Sequence, residues 1–192
     1  DARFNDGKVD RNGRLWAGTM TAQGASSSLY RLDEKLSISR MVSEVTISNG
    51  IGWSPDHTTM YYVDSLRYVI NAFDFDIKDS SISNKRAFVQ LDATIGVPDG
   101  LTVDREGYVW AAIYDGWRVM RFNPCGELAE EIKMPVSRPS SCAFGGKNMD
   151  ELYITTISEG LTQQQKEQEP LAGDLFMVKT HTQGFAEPKF SG

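Results

Sequence analysis

The chain has 192 residues, an ordinary apolar content and a net charge of −6, so it is long enough for one substantial core. The negative charge argues against a nucleic-acid backbone or an anionic membrane as the main partner, and no run of 18 apolar residues predicts a membrane span. Two cysteines are too few for a disulfide framework and no Asn-x-Ser/Thr acceptor occurs, so we expect a reducing, cytoplasmic setting. The first residues carry neither an initiator methionine nor a signal pattern, and we expect the sequence to be an interior piece.

One phrase recurs four times along the chain: a polar residue and a small residue, a short alternating strand, a turn, and a second strand with an aromatic anchor. The anchors are Trp16, Tyr61, Trp110 and Tyr153, which are 45, 49 and 43 residues apart. Periods of this size are typical of the four-stranded blades of β-propellers.

The segments after each anchor extend the pattern. Third strands are predicted at residues 28–32, 69–74, 118–122 and 174–178, and outer fourth strands at 38–42, 85–91 and 128–134. Residues 162–169 lack an apolar stripe, which favours an insertion between the second and third strands of the last unit; the alternative is a short surface helix capped by Thr162.

No linker divides the sequence, so residues 1–192 are interpreted as one all-β propeller domain with about four blades. The first unit has no preceding outer strand. An open arc would leave unpaired sheet edges, and we therefore expect part of a larger ring.

The polar slot before each inner strand holds the candidate site. Asp6, Asn49, Asp99 and either Ser140 or Ser141 take this position. In a propeller the loops that enter the inner strands converge around the channel, and carboxylate and amide oxygens suit Ca²⁺ or Mg²⁺. The alternative is that each is only a turn former, because Asn-Gly and Asp-Gly are common in tight turns.

Other chemistries find little support. His57 lies in a turn and His181 between threonines, while Cys125 and Cys142 have no activating neighbours in the sequence. The sequence contains no Gly-x-Ser-x-Gly elbow, His-Glu-x-x-His or Walker loop. Metal-assisted chemistry, or binding alone, remains.

The motifs of the whole chain closely resemble the regucalcin branch of the SMP-30/gluconolactonase/luciferin-regenerating enzyme-like family. The resemblance rests on six segments: residues 3–10, 16–20, 47–50, 61–65, 98–100 and 140–146. It implies a six-bladed β-propeller with a divalent cation in the channel. Ca²⁺ is the favoured cation, and Zn²⁺, Mn²⁺ and Mg²⁺ are the alternatives. It also implies lactonase activity on sugar lactones such as gluconolactone.

The resemblance also implies residue roles. Asn49 and Asp99 match two metal ligands, with Asp99 also the catalytic base or the residue that orients the attacking water, whereas the third ligand, a Glu of the first blade, has no counterpart here. Arg3 and Asn5 match sugar contacts. A further substrate-contacting Glu falls at Gln23, and this departure bears on sugar specificity because an amide is uncharged.

Three functions stay open on this resemblance. The first is a metal-dependent lactonase with a small-molecule lactone as its partner, acting as a monomer or weak dimer. The second is a luciferin-regenerating activity on a non-sugar substrate, with which Gln23 is compatible. The third is a non-enzymatic calcium-binding propeller.

Overall fold

A computed structural model of the chain describes residues 2–22 and 24–192. They form four antiparallel sheets in which the strands lie side by side in sequence order. Each sheet is therefore a meander with a first, inner strand and a last, outer one, as the repeated phrase predicts.

The first two sheets have four strands each. The strands of the first are β1 (Ala2–Val9), β2 (Leu15–Thr21), β3 (Ser27–Leu32) and β4 (Ile38–Val45). Those of the second are β5 (Ser48–Trp53), β6 (Thr59–Asp64), β7 (Val69–Asp76) and β8 (Ser81–Gln90), with a 3-10 turn (Ser65–Arg67) after β6.

The third sheet also has four strands and the fourth has three. The strands of the third are β9 (Val97–Val103), β10 (Val109–Tyr114), β11 (Arg118–Phe122) and β12 (Leu128–Lys133). Those of the fourth are β13 (Pro139–Gly145), β14 (Glu151–Thr156) and β15 (Leu175–Lys179). The third strands and the three outer strands lie where the sequence predicts them, within a few residues.

The sheets group into two compact units. One comprises Asp1–Gln90 with Glu187–Gly192, and the other comprises Leu91–Ala186. Each unit contains two sheets, and each has its own core.

In the first unit, Trp16 and Leu29 of the first sheet pack against the second sheet. Trp16 is fully buried, and its ring centroid lies 6.1 Å from that of Phe75 in an edge-to-face arrangement. Such aromatic pairs add to the stability gained from burial.

The second unit repeats this packing. Trp110 is fully buried between the third and fourth sheets, and its ring centroid is 6.0 Å from that of Phe144, again edge to face. Of the other two anchors, Tyr61 is buried and Tyr153 is half-buried.

A helix α1 (Gln163–Gln168) interrupts the connection between β14 and β15. The favoured interpretation of an insertion and the alternative of a short helix therefore both describe this segment. Thr162 and Gln165 form a capping box, in which each side chain bonds to the other residue's backbone N–H. This local capping explains why a helix with no buried residue forms here.

Candidate functional site

The inner strand of every sheet is irregular at the predicted polar slot. The pairing register shifts between Phe4 and Gly7, between Ser48 and Ile51, beside residues 99–100, and between Pro139 and Ser141. A β-bulge re-aims the side chains within it, and bulges are common beside active sites. The four polar slots are thus built by the same backbone device.

Two of the bulges meet inside the first unit. The side-chain amide of Asn5, in β1, donates from Nδ2 to Oδ1 of Asn49 at 2.7 Å and to the backbone carbonyl of Ser48 at 2.9 Å. The amide of Asn49 in turn donates to Oγ of Ser65 at 2.8 Å. The structure therefore brings Asn5 and Asn49, which are 44 positions apart in sequence, into direct contact.

The residues beneath this pair are buried and hydrogen-bonded. The hydroxyl of Tyr62 donates to Oγ of Ser48 at 2.6 Å, and both residues are almost fully buried. Burial raises the pKa of Tyr62, against the opposing effect of the Ser48 hydrogen bond. Gly18 permits this arrangement, since a Cβ added there would lie 2.2 Å from the Cβ of Ser48.

Asp6 stands next to Asn5 in the same bulge. Its Oδ1 accepts the backbone N–H of Gly7 at 2.7 Å. Burial nevertheless raises the pKa of the Asp6 carboxyl, because the loss of hydration outweighs that hydrogen bond and the charge of Lys8. A cation at this slot would relieve the same cost.

Arg3 lies at the exposed end of β1. Its Nη1 donates to the carbonyl of Phe4 at 3.1 Å and makes a long contact of 3.4 Å with Oδ1 of Asn5. Arg3 and Asn5, the two predicted sugar contacts, are thus neighbours. Gln23, the third, lies outside the described residues.

Asp99 belongs to the second unit, where its bulge packs against the bulge of the fourth sheet. A Cβ added at Gly100 would lie 2.5 Å from the Cβ of Ser141, so the two inner strands approach closely. Ser141 is therefore beside the Asp99 slot, while the hydroxyl of Ser140 is hydrogen-bonded to that of Thr155 at 2.9 Å.

Two residues near Asp99 were not predicted from the sequence. Tyr114 ends β10 opposite Val97, and burial raises its pKa, with the charge of Arg138 opposing the shift and that of Asp99 adding to it. The guanidinium of Arg138 lies 4.9 Å from the centroid of the Tyr114 ring and bonds to Asp115 at 2.6 Å. A basic residue just before an inner strand is the signal that could have found Arg138.

The donor types in each unit suit a hard cation. The first unit offers the amide oxygen of Asn49 and the poorly solvated carboxylate of Asp6, and the second offers the carboxylate of Asp99; Ca²⁺ and Mg²⁺ take oxygen ligands of these kinds. No three Asp, Glu, His or Cys side chains of residues 2–22 and 24–192 gather in one cluster that could hold a metal.

The histidines and cysteines lie elsewhere. His57 occupies a turn with φ of 59°, and Nε2 of His181 is 3.8 Å from Oε2 of Glu130. Cys125 is exposed and Cys142 is buried, and the two do not form a disulfide.

The chain matches a known protein family. The model of the family described as "SMP-30/Gluconolactonase/LRE-like region" matches residues 1–158. The chain belongs to this family. Membership confirms the resemblance inferred from the sequence, together with the all-β propeller fold class and its four blades in this chain.

Several relatives of this family member are similar over most of its length. The regucalcin of Gallus gallus is 41% identical over 184 residues, which cover 92% of this chain and 62% of the relative. The chain therefore spans less than two thirds of the length of the regucalcins of Gallus gallus and Sus scrofa.

Three solved structures are similar to this chain in fold. A luciferin-regenerating enzyme has a TM-score of 0.90 at 34% identity, and a calcium-binding protein, regucalcin, from Agrobacterium tumefaciens has 0.94 at 26%; each match covers 98% of this chain and 65% of the other. A gluconolactonase from Xanthomonas campestris has a TM-score of 0.71 at 27% identity, covering 92% of this chain and 56% of its own. Among the described residues, no helix is long and apolar enough to cross a membrane.

Proposed function

We propose that this chain carries cation-binding and substrate-binding residues of a lactonase that hydrolyses sugar lactones such as gluconolactone. The observation that carries the proposal is the bonded pair of Asn5 and Asn49, because it joins a predicted sugar contact to a predicted metal ligand. The family, and the similarity to a gluconolactonase, support the reaction class.

In this proposal Asn49 and Asp99 hold a divalent cation, with Ca²⁺ favoured because a relative is described as calcium-binding. The chemistry that a bound cation supplies is polarisation of the lactone carbonyl and a lowered pKa of water. Asp99 takes the proton from the attacking water or orients that water. Arg3 and Asn5 hold the ring hydroxyls, so that attack comes from one face.

The test is Asp99→Ala in the full-length protein, assayed for gluconolactone hydrolysis with Ca²⁺ present. Loss of a general base and ligand is expected to lower kcat/KM by at least about 10²-fold. The matched control is Asp92→Ala, which removes an exposed carboxylate bonded to Thr94 in the same unit. Activity within a few-fold of wild type in Asp99→Ala contradicts the assignment of Asp99.

A second candidate is a luciferin-regenerating activity on a non-sugar substrate. The 34% identity and TM-score of 0.90 to a luciferin-regenerating enzyme favour it. Gln23, where the family resemblance implies a Glu, is compatible with altered substrate contacts. Assaying the full-length protein against sugar lactones and against nitrile products of luciferin oxidation separates the two activities.

Binding without turnover is the third outcome of the same assays. The Agrobacterium tumefaciens relative is described as a calcium-binding protein. Full-length protein that binds Ca²⁺ and turns over no lactone or nitrile favours a non-enzymatic calcium-binding role.

A further inference from the structure

We infer that Asn5 is a positioning residue for the amide of Asn49, which it orients so that the oxygen of Asn49 is available to a cation. This inference rests on the proposed function in taking Asn49 as a cation ligand. It gives Asn5 a role that is separate from contact with the sugar.

The orientation of the Asn5 amide is fixed first by a group that can only accept hydrogen bonds. The carbonyl of Ser48 accepts hydrogen bonds and cannot donate them, so the group of Asn5 that faces it at 2.9 Å must be the amide NH₂. Ser48 is itself held in place, since it is fully buried and its hydroxyl accepts from Tyr62.

The second hydrogen of the same NH₂ fixes Asn49. Nδ2 of Asn5 lies 2.7 Å from Oδ1 of Asn49, and this contact is favourable only when Asn49 presents its oxygen. A flipped Asn49 would set NH₂ against NH₂. Its own Nδ2 is then directed to Oγ of Ser65 at 2.8 Å, which completes the chain of bonds.

One lone pair of the Asn49 oxygen is engaged by Asn5, and an amide oxygen has two. The second lone pair can therefore coordinate a hard cation. Hydrogen bonds that orient a metal ligand in this way are worth about 10- to 100-fold in metal affinity.

The bond pattern also restricts what Asn5 offers a substrate. Both hydrogens of its NH₂ are used by Ser48 and Asn49, so Asn5 can offer a substrate only the acceptor Oδ1, which also makes the long contact with Nη1 of Arg3. Asn5 is expected to receive a hydrogen bond from a ring hydroxyl. Arg3, which is exposed, supplies the donor.

The experiment is calorimetric titration of the metal-free full-length protein with Ca²⁺ in the absence of any lactone. Asn5→Leu keeps a similar volume and removes the donor, and the Kd for Ca²⁺ is expected to rise about 10- to 100-fold. The matched variant is Asn12→Leu, the same substitution at an exposed asparagine of the turn after β1, whose Nδ2 donates to the carbonyl of Ile77; it is expected to leave the Kd for Ca²⁺ near the wild-type value.

The midpoint of thermal unfolding in EDTA serves as the folding control, because a positioning role leaves it near wild type while the stabilisation by added Ca²⁺ falls. If Asn5→Leu does not fold, Asn5→Ala replaces it, since the shorter side chain removes the same NH₂ donor from Asn49 and is expected to raise the Kd for Ca²⁺ in the same direction.

A folded Asn5→Leu with the wild-type Kd for Ca²⁺ overturns the inference, as does wild-type protein that binds no Ca²⁺. The proposed lactonase function fails separately. Wild-type protein that binds Ca²⁺ without hydrolysing lactones removes that function, while the Kd of Asn5→Leu still decides the role of Asn5.

Discussion

Asp6 shows how a single half-buried carboxyl links the candidate site to stability. Its pKa is raised by burial above the ordinary value of 3.8. The folded protein therefore holds this proton more tightly than the unfolded chain, and the free energy of unfolding falls as the pH rises from 3.8 through the folded pKa. At neutral pH, Asp6 therefore lowers the free energy of unfolding relative to a fully hydrated carboxyl group.

Asp6→Asn is accordingly expected to stabilise the metal-free protein at pH 7, because the neutral amide escapes the loss of hydration that raises the pKa of Asp6. The gain should disappear below pH 3.8, because both states are then protonated in the wild type. Urea denaturation in EDTA over a pH series measures it. Equal stability of the two proteins at pH 7 would show that the carboxylate is well solvated.

Single residues also show where the sequence was sufficient and where it was not. The polar slots at Asn49 and Asp99 were visible, because an Asn or Asp before a glycine and a strand recurs at the blade period. The bond from Asn5 to Asn49 was not visible, since it joins positions 44 apart and depends on the register of two bulges.

At the scale of elements, the inner hairpins of the first and third sheets each contain a buried aspartate in the same position. Oδ2 of Asp10 accepts from Nε1 of Trp16, and Oδ2 of Asp104 accepts from Nε1 of Trp110, each at 3.0 Å. Their Oδ1 atoms accept backbone N–H groups of the intervening turns. The aspartate thus ties the turn to the tryptophan at the centre of the core.

The two aspartates differ in their remaining partner. Asp104 is bonded to the buried Arg121 at 2.7 Å, whereas Asp10 accepts from the hydroxyl of Ser80 at 2.8 Å. Nη2 of Arg121 also bonds to Oε2 of Glu106 at 2.7 Å, so Asp104→Asn removes one of its two carboxylate partners and is expected to cost about 1.5–3 kcal/mol.

Asp10→Asn is the matched comparison. It is expected to lower the free energy of unfolding by less, because no buried cation loses a bonded carboxylate. Denaturant unfolding of both variants measures the difference. A larger loss in Asp10→Asn than in Asp104→Asn would contradict the role given to Arg121.

The strands themselves were largely predictable and these aspartates were not. Alternating apolar residues and Gly turns located the sheets, since both signals are local. An Asp that begins a turn has an ordinary local explanation, and only the folded register brings it to a Trp six positions later and an Arg seventeen positions later.

At the scale of the whole molecule, the first unit carries an uncovered apolar surface. Leu15 and Ala17 alternate with the buried Trp16 along β2, and they line a cavity of about 210 Å³ together with Phe4 and Ile38. Phe4 is 67% exposed and Ile38 is 71% exposed. Apolar patches of this kind mark interaction surfaces or promote aggregation.

Residues 1–192 expressed alone are therefore expected to self-associate, and the double change Phe4→Ser and Ile38→Ser should reduce this. Light scattering after size-exclusion chromatography measures the mass. Leu66→Ser is the control, because Leu66 is 54% exposed in the 3-10 turn and does not line the cavity. An equal effect of Leu66→Ser would assign the association to general hydrophobicity.

In each inner strand, one feature sets where the bulge lies and another sets which oxygen donor it carries. Regular pairing flanks each bulge on both sides, so the paired strands, and not the polar side chain, set where the bulge lies. Single codon changes at Asp6, Asn49, Asp99 or Ser140 can therefore exchange one oxygen donor for another at a fixed place in the sheet. The family scaffold can in this way diversify its chemistry through a few positions and keep its architecture.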